Sequence, residues 1–185
     1  MNLFQTKGFY ATTVVDILAE AKANSGSLYY HYPSKDALLS AVLTAYREGI
    51  QQMLLAPAWA GVDDAIDKVF ALLGAYRQFL VETDCLYGCP IGSVALELKE
   101  PEPAIRELLC GNFDAWVGAV EQCFRDAGAG LPESVDRAAL ARFVLSVMEG
   151  SVMQARTHRS LEPFDASVRM LRDYLDRLQA DAQSR

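Results

Sequence analysis

The 185-residue chain is short of the residues that most catalytic and metal chemistry needs. It has two histidines, His31 and His158, and four cysteines, at 85, 89, 110 and 123, with no CxxC pair. That set has no zinc-ligand spacing, so no metal and no cofactor is expected. No glycine-rich phosphate loop, GxSxG or HExxH motif appears, and the expectation is a protein that is not an enzyme. No apolar run approaches the ~20 residues that span a bilayer. The first residues, Met1-Asn2-Leu3-Phe4-Gln5, have neither a basic region nor a long apolar one, so no secretory signal is read there and no membrane partner is expected. With few cysteines and no export signal, the thiols are expected to be reduced and the protein cytoplasmic. Alternating strand patterns and internal repeats are missing as well.

What is present is apolar residues at helical spacing, in a chain 51% hydrophobic and 22% charged, enough to bury a core. Leu38, Leu39, Val42, Leu43, Tyr46, Ile50 and Met53 follow Ser34, a good N-cap residue, and the helix they mark is expected to stop near Pro57. Val62, Ile66, Val69, Phe70, Leu73, Tyr76 and Leu80 mark the next long helix. Pro90 opens a short helix to about Lys99. Pro103 opens a long one that ends at Gly128 or Gly130. Leu140, Phe143, Val144, Val147, Met148 and Val152 form one late stripe, and Phe164, Val168, Leu171, Leu175 and Leu178 another. The expected fold is all-α with about nine helices, short ones first and long ones after. The two late stripes hold more apolar surface than a monomer should expose, so a homodimer through the last two helices is expected.

Net charge is −7, but it is unevenly spread. Residues 1–47 carry Lys7, Lys22, Lys35 and Arg47 against Asp16, Glu20 and Asp36, a net of +1, and the remainder carries −8. The acidity therefore lies outside the most informative stretch, residues 8–38. There Thr12 or Thr13 can cap a helix to about Ala21, and a break at Lys22-Ala23-Asn24 precedes a very short helix, Ser25-Gly26-Ser27-Leu28-Tyr29-Tyr30-His31. Pro33-Ser34 ends it and caps the next. Two short helices joined by a tight turn form a helix-turn-helix, whose second member can lie in a DNA major groove. Leu28 and Tyr32 are expected in the core. Tyr29, Tyr30 and His31 are consecutive and cannot all face inward.

The run Gly-Phe…Thr-Thr-Val…Asp-Ile…Gly-Ser-Leu-Tyr-Tyr-His-Tyr-Pro-Ser-Lys-Asp-Ala-Leu closely resembles the DNA-binding region of the TetR family of bacterial regulators, over residues 2–47. The resemblance implies a DNA-binding domain at 1–47, with a short first helix, and a ligand-binding and dimerisation domain at 48–185. It implies a homodimer on a palindromic operator of double-stranded DNA, released by a small-molecule effector. Carried over by position, the DNA-contacting set is Thr12, Thr13, Ser25, Ser27, Tyr29, Tyr30, His31 and Lys35. Lys35 stands in the first turn of its helix, the unfavourable end for a cation, which makes sense beside a phosphate. The family's turn commonly holds glycine where Lys22 stands, so Lys22 is expected to take a positive φ. Val15 and Ser25 stand where the family is often basic.

Gly88-Cys89-Pro90-Ile91-Gly92 resembles an element in one branch of that family. If Pro90 is the first helical residue, Cys89 sits at the N-cap, where the helix end favours thiolate. Two roles stay open for it: a reactive sensor, or a small buried thiol used as packing. Phe70, Tyr76, Leu80, Cys89, Phe113, Trp116 and Phe143 are candidates to line an effector cavity or to fill the core. No clustered charge marks a charged effector, so an apolar or aromatic one is expected. Two other functions stay open: a helical dimeric ligand-binding or interaction module that has lost DNA binding, and a thiol-based electrophile or redox sensor working through Cys89.

Overall fold

The structure is a computed structural model and describes residues 1–184, and its regular elements among these are helices. Four helices come first, α1 (Asn2–Lys7), α2 (Val14–Ala21), α3 (Ser25–His31) and α4 (Lys35–Ile50). α4 runs on through a π-helical turn, Gln51–Leu55, into α5 (Ala56–Trp59). The cause is Pro57, which has no N–H to donate and whose ring would strike the carbonyl of residue 53. The backbone widens before it, Ala56 N–H reaching five residues back to the Gln51 carbonyl. The helix expected to stop near Pro57 therefore ends at Trp59. Then follow α6 (Ala65–Glu82), α7 (Pro90–Glu97), α8 (Pro103–Asp126), a 3-10 turn at Gly128–Gly130, α9 (Arg137–His158) and α10 (Glu162–Gln183). With α4 to α5 counted as one continuous helix there are nine among the described residues, as the periodicity predicts.

Local chemistry explains the starts. Asp64 accepts hydrogen bonds from Ile66 N and Asp67 N at 2.8 Å, and Asp136 from Ala138 N and Ala139 N at 3.0 Å. Ser34 Oγ accepts from Ala37 N at 3.0 Å. Each bond satisfies an amide that the first helical turn leaves without a partner. Pro90 and Pro103 open α7 and α8 as expected.

The chain forms two compact units. The first comprises residues 1–49 and 87–113, the second residues 50–86 and 114–185. In the first, α7 packs on α1, around a core of Phe4, Phe9, Ile17, Leu39, Leu43, Ile91, Val94, Leu98, Ile105 and Leu109. Asn112, buried on α8, donates to the carbonyls of Leu43 at 2.9 Å and Leu108 at 2.8 Å, fixing α8 against α4. The second unit has a larger core, in which Val69, Leu72, Leu73, Leu80, Phe124, Met148, Phe164 and Leu175 are almost wholly buried. Among the described residues no helix is long and apolar enough to cross a membrane.

Candidate nucleic-acid interface

Thr13, not Thr12, caps α2. Its hydroxyl accepts from Asp16 N at 3.1 Å, and the Asp16 carboxylate accepts from Thr13 N and Oγ1 at 2.9 Å, closing a reciprocal capping box. Lys7 adds an ion pair to Asp16 at 2.7 Å. The hydrogen bond from Lys7, then those from Thr13, bring the Asp16 pKa down to about 2. At neutral pH the cap is therefore fully charged.

Lys22 ends α2 with φ 49° and ψ 39°, the left-handed conformation expected of it. Asn24 then caps α3, its side chain accepting from Ser27 N at 2.8 Å. α3 contains no buried residue. Ser25, Gly26, Ser27 and His31 are exposed, Tyr29 is 51% and Tyr30 84% exposed, and Leu28 and Tyr32 are half-buried anchors. A Cβ built at Gly26 would meet only Asn24 Oδ1, at 3.4 Å, so nothing in the chain itself requires glycine there. The Tyr30 ring stands edge-on to His31 with centroids 5.0 Å apart. Seven helical residues thus present hydroxyls, an imidazole and bare backbone outward. Such groups donate to phosphate oxygens and reach base edges.

Two residues of the carried-over set are placed differently. Thr12 is fully buried, and its hydroxyl donates inward, to Gly8 O at 2.6 Å and Leu3 O at 3.2 Å. It braces the α1–α2 turn and has no surface to offer DNA. Lys35 is half-buried, with Nζ donating to Phe9 O at 2.9 Å and Thr12 O at 3.1 Å and lying 4.4 Å from the Phe9 ring centroid. An ammonium has three donors, so at most one is left for a phosphate. The surface also carries two apolar residues outside that set, Tyr10 at 66% and Val15 at 74% exposure. Val15 follows the N-cap at a position the inward-facing pattern skips, which is the signal that marks it.

The candidate effector residues do not form one cluster within either unit. Cys89 and Phe113 belong to the first unit, and Phe70, Tyr76, Leu80, Trp116 and Phe143 to the second. Cys89 is the N-cap of α7, its sulfur accepting from Gly92 N at 3.5 Å, yet it is buried. Of the two roles open to it, this burial favours packing: the flanking Gly88 and Gly92 are buried as well, and Cys110 is the exposed thiol. Burial, first of all, pushes the Cys85 and Cys123 thiols up. Arg172 covers one face of Phe70, 3.4 Å from the centroid. Leu80 is core. Trp116 is also buried, and its indole N–H has no hydrogen-bond partner among the described residues.

Phe143 is 48% exposed and faces outward. It meets Tyr174 edge-on at 6.1 Å in a shallow groove between α9 and α10, together with Val147, Gly150, Gln154, Ala166 and Met170. Met170 is 61% exposed. Most of the two late stripes (Leu140, Val144, Met148, Val152, Phe164, Leu171, Leu175) is spent instead on the unit's own core.

A model of the bacterial regulatory proteins of the tetR family matches residues 1–42, and one of the C-terminal domain of LmrA/YxaF-like transcriptional regulators matches 65–170. The chain is 31% identical over 181 residues to the uncharacterised HTH-type transcriptional regulator Rv0196 of Mycobacterium tuberculosis, covering 94% of this chain and 88% of the relative. It is 29% identical over 164 residues to the HTH-type transcriptional regulator LmrA of Bacillus subtilis (88% and 85%), and 26% over 167 residues to the repressor DhaR of a Mycobacterium species (89% and 82%). The crystal structure of a regulatory protein TetR from Rhodobacter sphaeroides superposes with a TM-score of 0.83 over 92% of this chain and 91% of that one, at 23% identity, a likeness of fold.

Proposed function

Because the chain belongs to the TetR family of bacterial transcriptional regulators, DNA-binding dimers that are not enzymes, we propose that it acts as a repressor released from a palindromic operator by a small effector. The observation that carries the DNA side is α3, a capped helix with no buried residue, followed by α4 capped at Ser34. Ser25, Ser27, Tyr29, Tyr30 and His31 are its contacts, with Thr13 at the start of α2. Tyrosine and histidine set register on phosphates, and Ser27 with the bare backbone at Gly26 approaches base edges. Relatives named as repressors, DhaR among them, support the direction of control. The chromosome it would act on places it in the cytoplasm.

DNA binding is assigned to residues 1–47, and sensing and dimerisation to 48–185. Two copies meet through the α9–α10 groove, where an apolar surface around Phe143, Met170 and Tyr174 is left uncovered. The effector is apolar or aromatic, since no cluster of charge in the sequence marks a site for a charged one. The Gly88-Cys89-Pro90-Ile91-Gly92 element marks the branch, with Cys89 as a packed N-cap.

Selection of duplexes from a random pool, followed by anisotropy titration at fixed salt, tests this reading. A palindrome with half-sites about 34–36 Å apart is the expected product. Selection of no preferred sequence would favour a helical module that does not read DNA. For any compound that releases the duplex, linkage requires operator to weaken its binding by the same factor, about 5- to 150-fold. Equal affinity with and without operator would rule the release mechanism out.

A further inference from the structure

Glu97 has no local reason to be where it is. It is the last residue of α7, and the C-terminal end of a helix disfavours an anion. Its carboxylate is taken up 87 and 88 residues away in sequence, by the turn joining α1 to α2. Phe9 N donates to one oxygen at 2.6 Å and Tyr10 N to the other at 2.8 Å. Gly8, with φ 87°, makes room for this: a Cβ there would stand 2.9 Å from Glu97 Oε2. At the other end of α7, Gln5 Nε2 donates to Gly88 O at 2.7 Å. α7 is thus fastened to the α1 region at both ends, all within the first compact unit.

The same turn is held from its other side by Lys35, whose ammonium takes the Phe9 and Thr12 carbonyls. Its peptide groups lie between a carboxylate on their N–H side and an ammonium on their C=O side. Bonds to charged groups are shorter and stronger than neutral ones, so the turn is held firmly. The next residue, Thr13, is the N-cap of α2, and Lys35 is the first residue of α4, with three residues between it and the end of α3. The turn is therefore where α7, α2 and α4 are joined by polar bonds.

We propose that Glu97 is a positioning residue for DNA binding: through the amides of Phe9 and Tyr10 it sets the placement of the helix-turn-helix relative to α7. It touches no DNA. Removing it leaves both cores intact and releases the turn on one side. This inference rests on the DNA-binding reading, but one arm of its test uses no DNA.

The test compares the full chain with Glu97→Ala and Glu97→Gln, by amide exchange without DNA and by titration of the duplex that the natural sequence selects. In Glu97→Ala, exchange at Phe9 and Tyr10 rises, and protection in α2 and α3 falls at least tenfold while that in α6, α9 and α10 is unchanged. The Kd of the folded protein, with concentrations corrected for active fraction, rises at least tenfold. Glu97→Gln keeps one acceptor oxygen, retains the shape and falls between. A merely structural role would shrink the active fraction and leave its Kd within twofold of the natural protein, which overturns the proposal. So does loss of protection in α9 as large as that in α2 and α3. If the alanine variant does not fold, Glu97→Gln decides alone: a Kd raised threefold or more supports the proposal, and an unchanged Kd overturns it. A protein that selects no duplex fails the repressor reading, while the exchange arm still tests the placement.

Discussion

The two compact units of this chain are held together by different means. In the second, long helices close over an extensive apolar core that runs from Leu55 to Leu175, and its charged pairs lie at the surface, Arg77 on Asp165 at 2.7 Å and Arg172 on Asp67 at 3.0 Å. Surface pairs of that kind contribute ~0–1 kcal/mol each. In the first, the core is smaller, and much of the geometry is fixed by polar bonds between residues far apart in sequence: Asn112 to Leu43 O, Lys35 to Phe9 O and Thr12 O, Glu97 to two amides, Gln5 to Gly88 O. Apolar burial is non-directional and resists unfolding; hydrogen bonds fix angles. The second unit is built to stay folded, and the first to hold one short exposed helix at a set angle.

If that contrast is right, the largest losses of stability come from the second unit. Phe124, fully buried on α8, is expected to cost ~3–5 kcal/mol as Phe124→Ala, because the side chain loses its transfer free energy and leaves a cavity. Denaturant unfolding followed by circular dichroism measures it. A loss below 1 kcal/mol would show that the core is loosely packed and would break the comparison. A smaller effect is expected at the outer face of the same unit. Phe143→Glu puts a charge into the α9–α10 groove without touching the core, so each chain stays folded while dimerisation weakens by ~2 kcal/mol or more, about thirtyfold. Sedimentation velocity across micromolar concentrations should show monomer, and an unchanged dimer would place the interface elsewhere.

The first unit should respond in DNA binding and hardly in stability. Tyr29→Phe removes one phenol donor from a half-exposed ring and should weaken operator binding by ~0.5–1.5 kcal/mol on every operator variant, as loss of a phosphate contact does. Ser27→Ala, two residues earlier, should change which bases are preferred. The melting temperature of both should stay at that of the natural sequence. If both leave the titration unchanged at fixed salt, α3 is not the recognition helix.

The same contrast decides what the sequence could reveal. Ends of elements are written locally: Ser34, Pro90 and Pro103 mark helix starts by chemistry that acts within four residues, and the exposed face of α3 follows from three consecutive polar aromatics. The staples of the first unit join residues 23 to 88 positions apart, and no local pattern announces them. Thr12 and Thr13 are neighbours of the same type, yet one hydroxyl is buried and the other caps a helix; only the path of the turn separates them. Lys35 reads as a phosphate ligand until the Phe9 and Thr12 carbonyls are seen beside it. In the late stripes, Phe143 and Val144 are adjacent and both apolar, and spacing alone does not tell the inner face of a helix from a second apolar face meant for a partner.

The smallest effect expected is a gain, and it sits at the hinge of the helix-turn-helix. Lys22 adopts φ 49°, a conformation in which a Cβ crowds the following carbonyl at a cost of ~1–2 kcal/mol. Glycine avoids that contact but brings a larger loss of chain entropy on folding, which takes back ~0.5–1 kcal/mol. The difference predicts that Lys22→Gly stabilises the protein by up to about 1 kcal/mol, read from the denaturation midpoint at constant m-value. Lys22 is exposed, so no packing is lost. Its charge is a separate quantity: Lys7 is paired with Asp16, and Lys35 is tied to two carbonyls, which leaves Lys22 among the few cations this surface offers to phosphates. Lys22→Gly should therefore fold better and bind the operator somewhat less well, and Lys22→Asn, which tolerates the left-handed region better than most residues, should lose the charge with a smaller change in stability. If Lys22→Gly destabilised the protein, the turn would be set by contacts of the lysine stem and not by backbone geometry. If its operator affinity were unchanged, the phosphate contacts would have to be carried by the neutral hydroxyls of α3 alone.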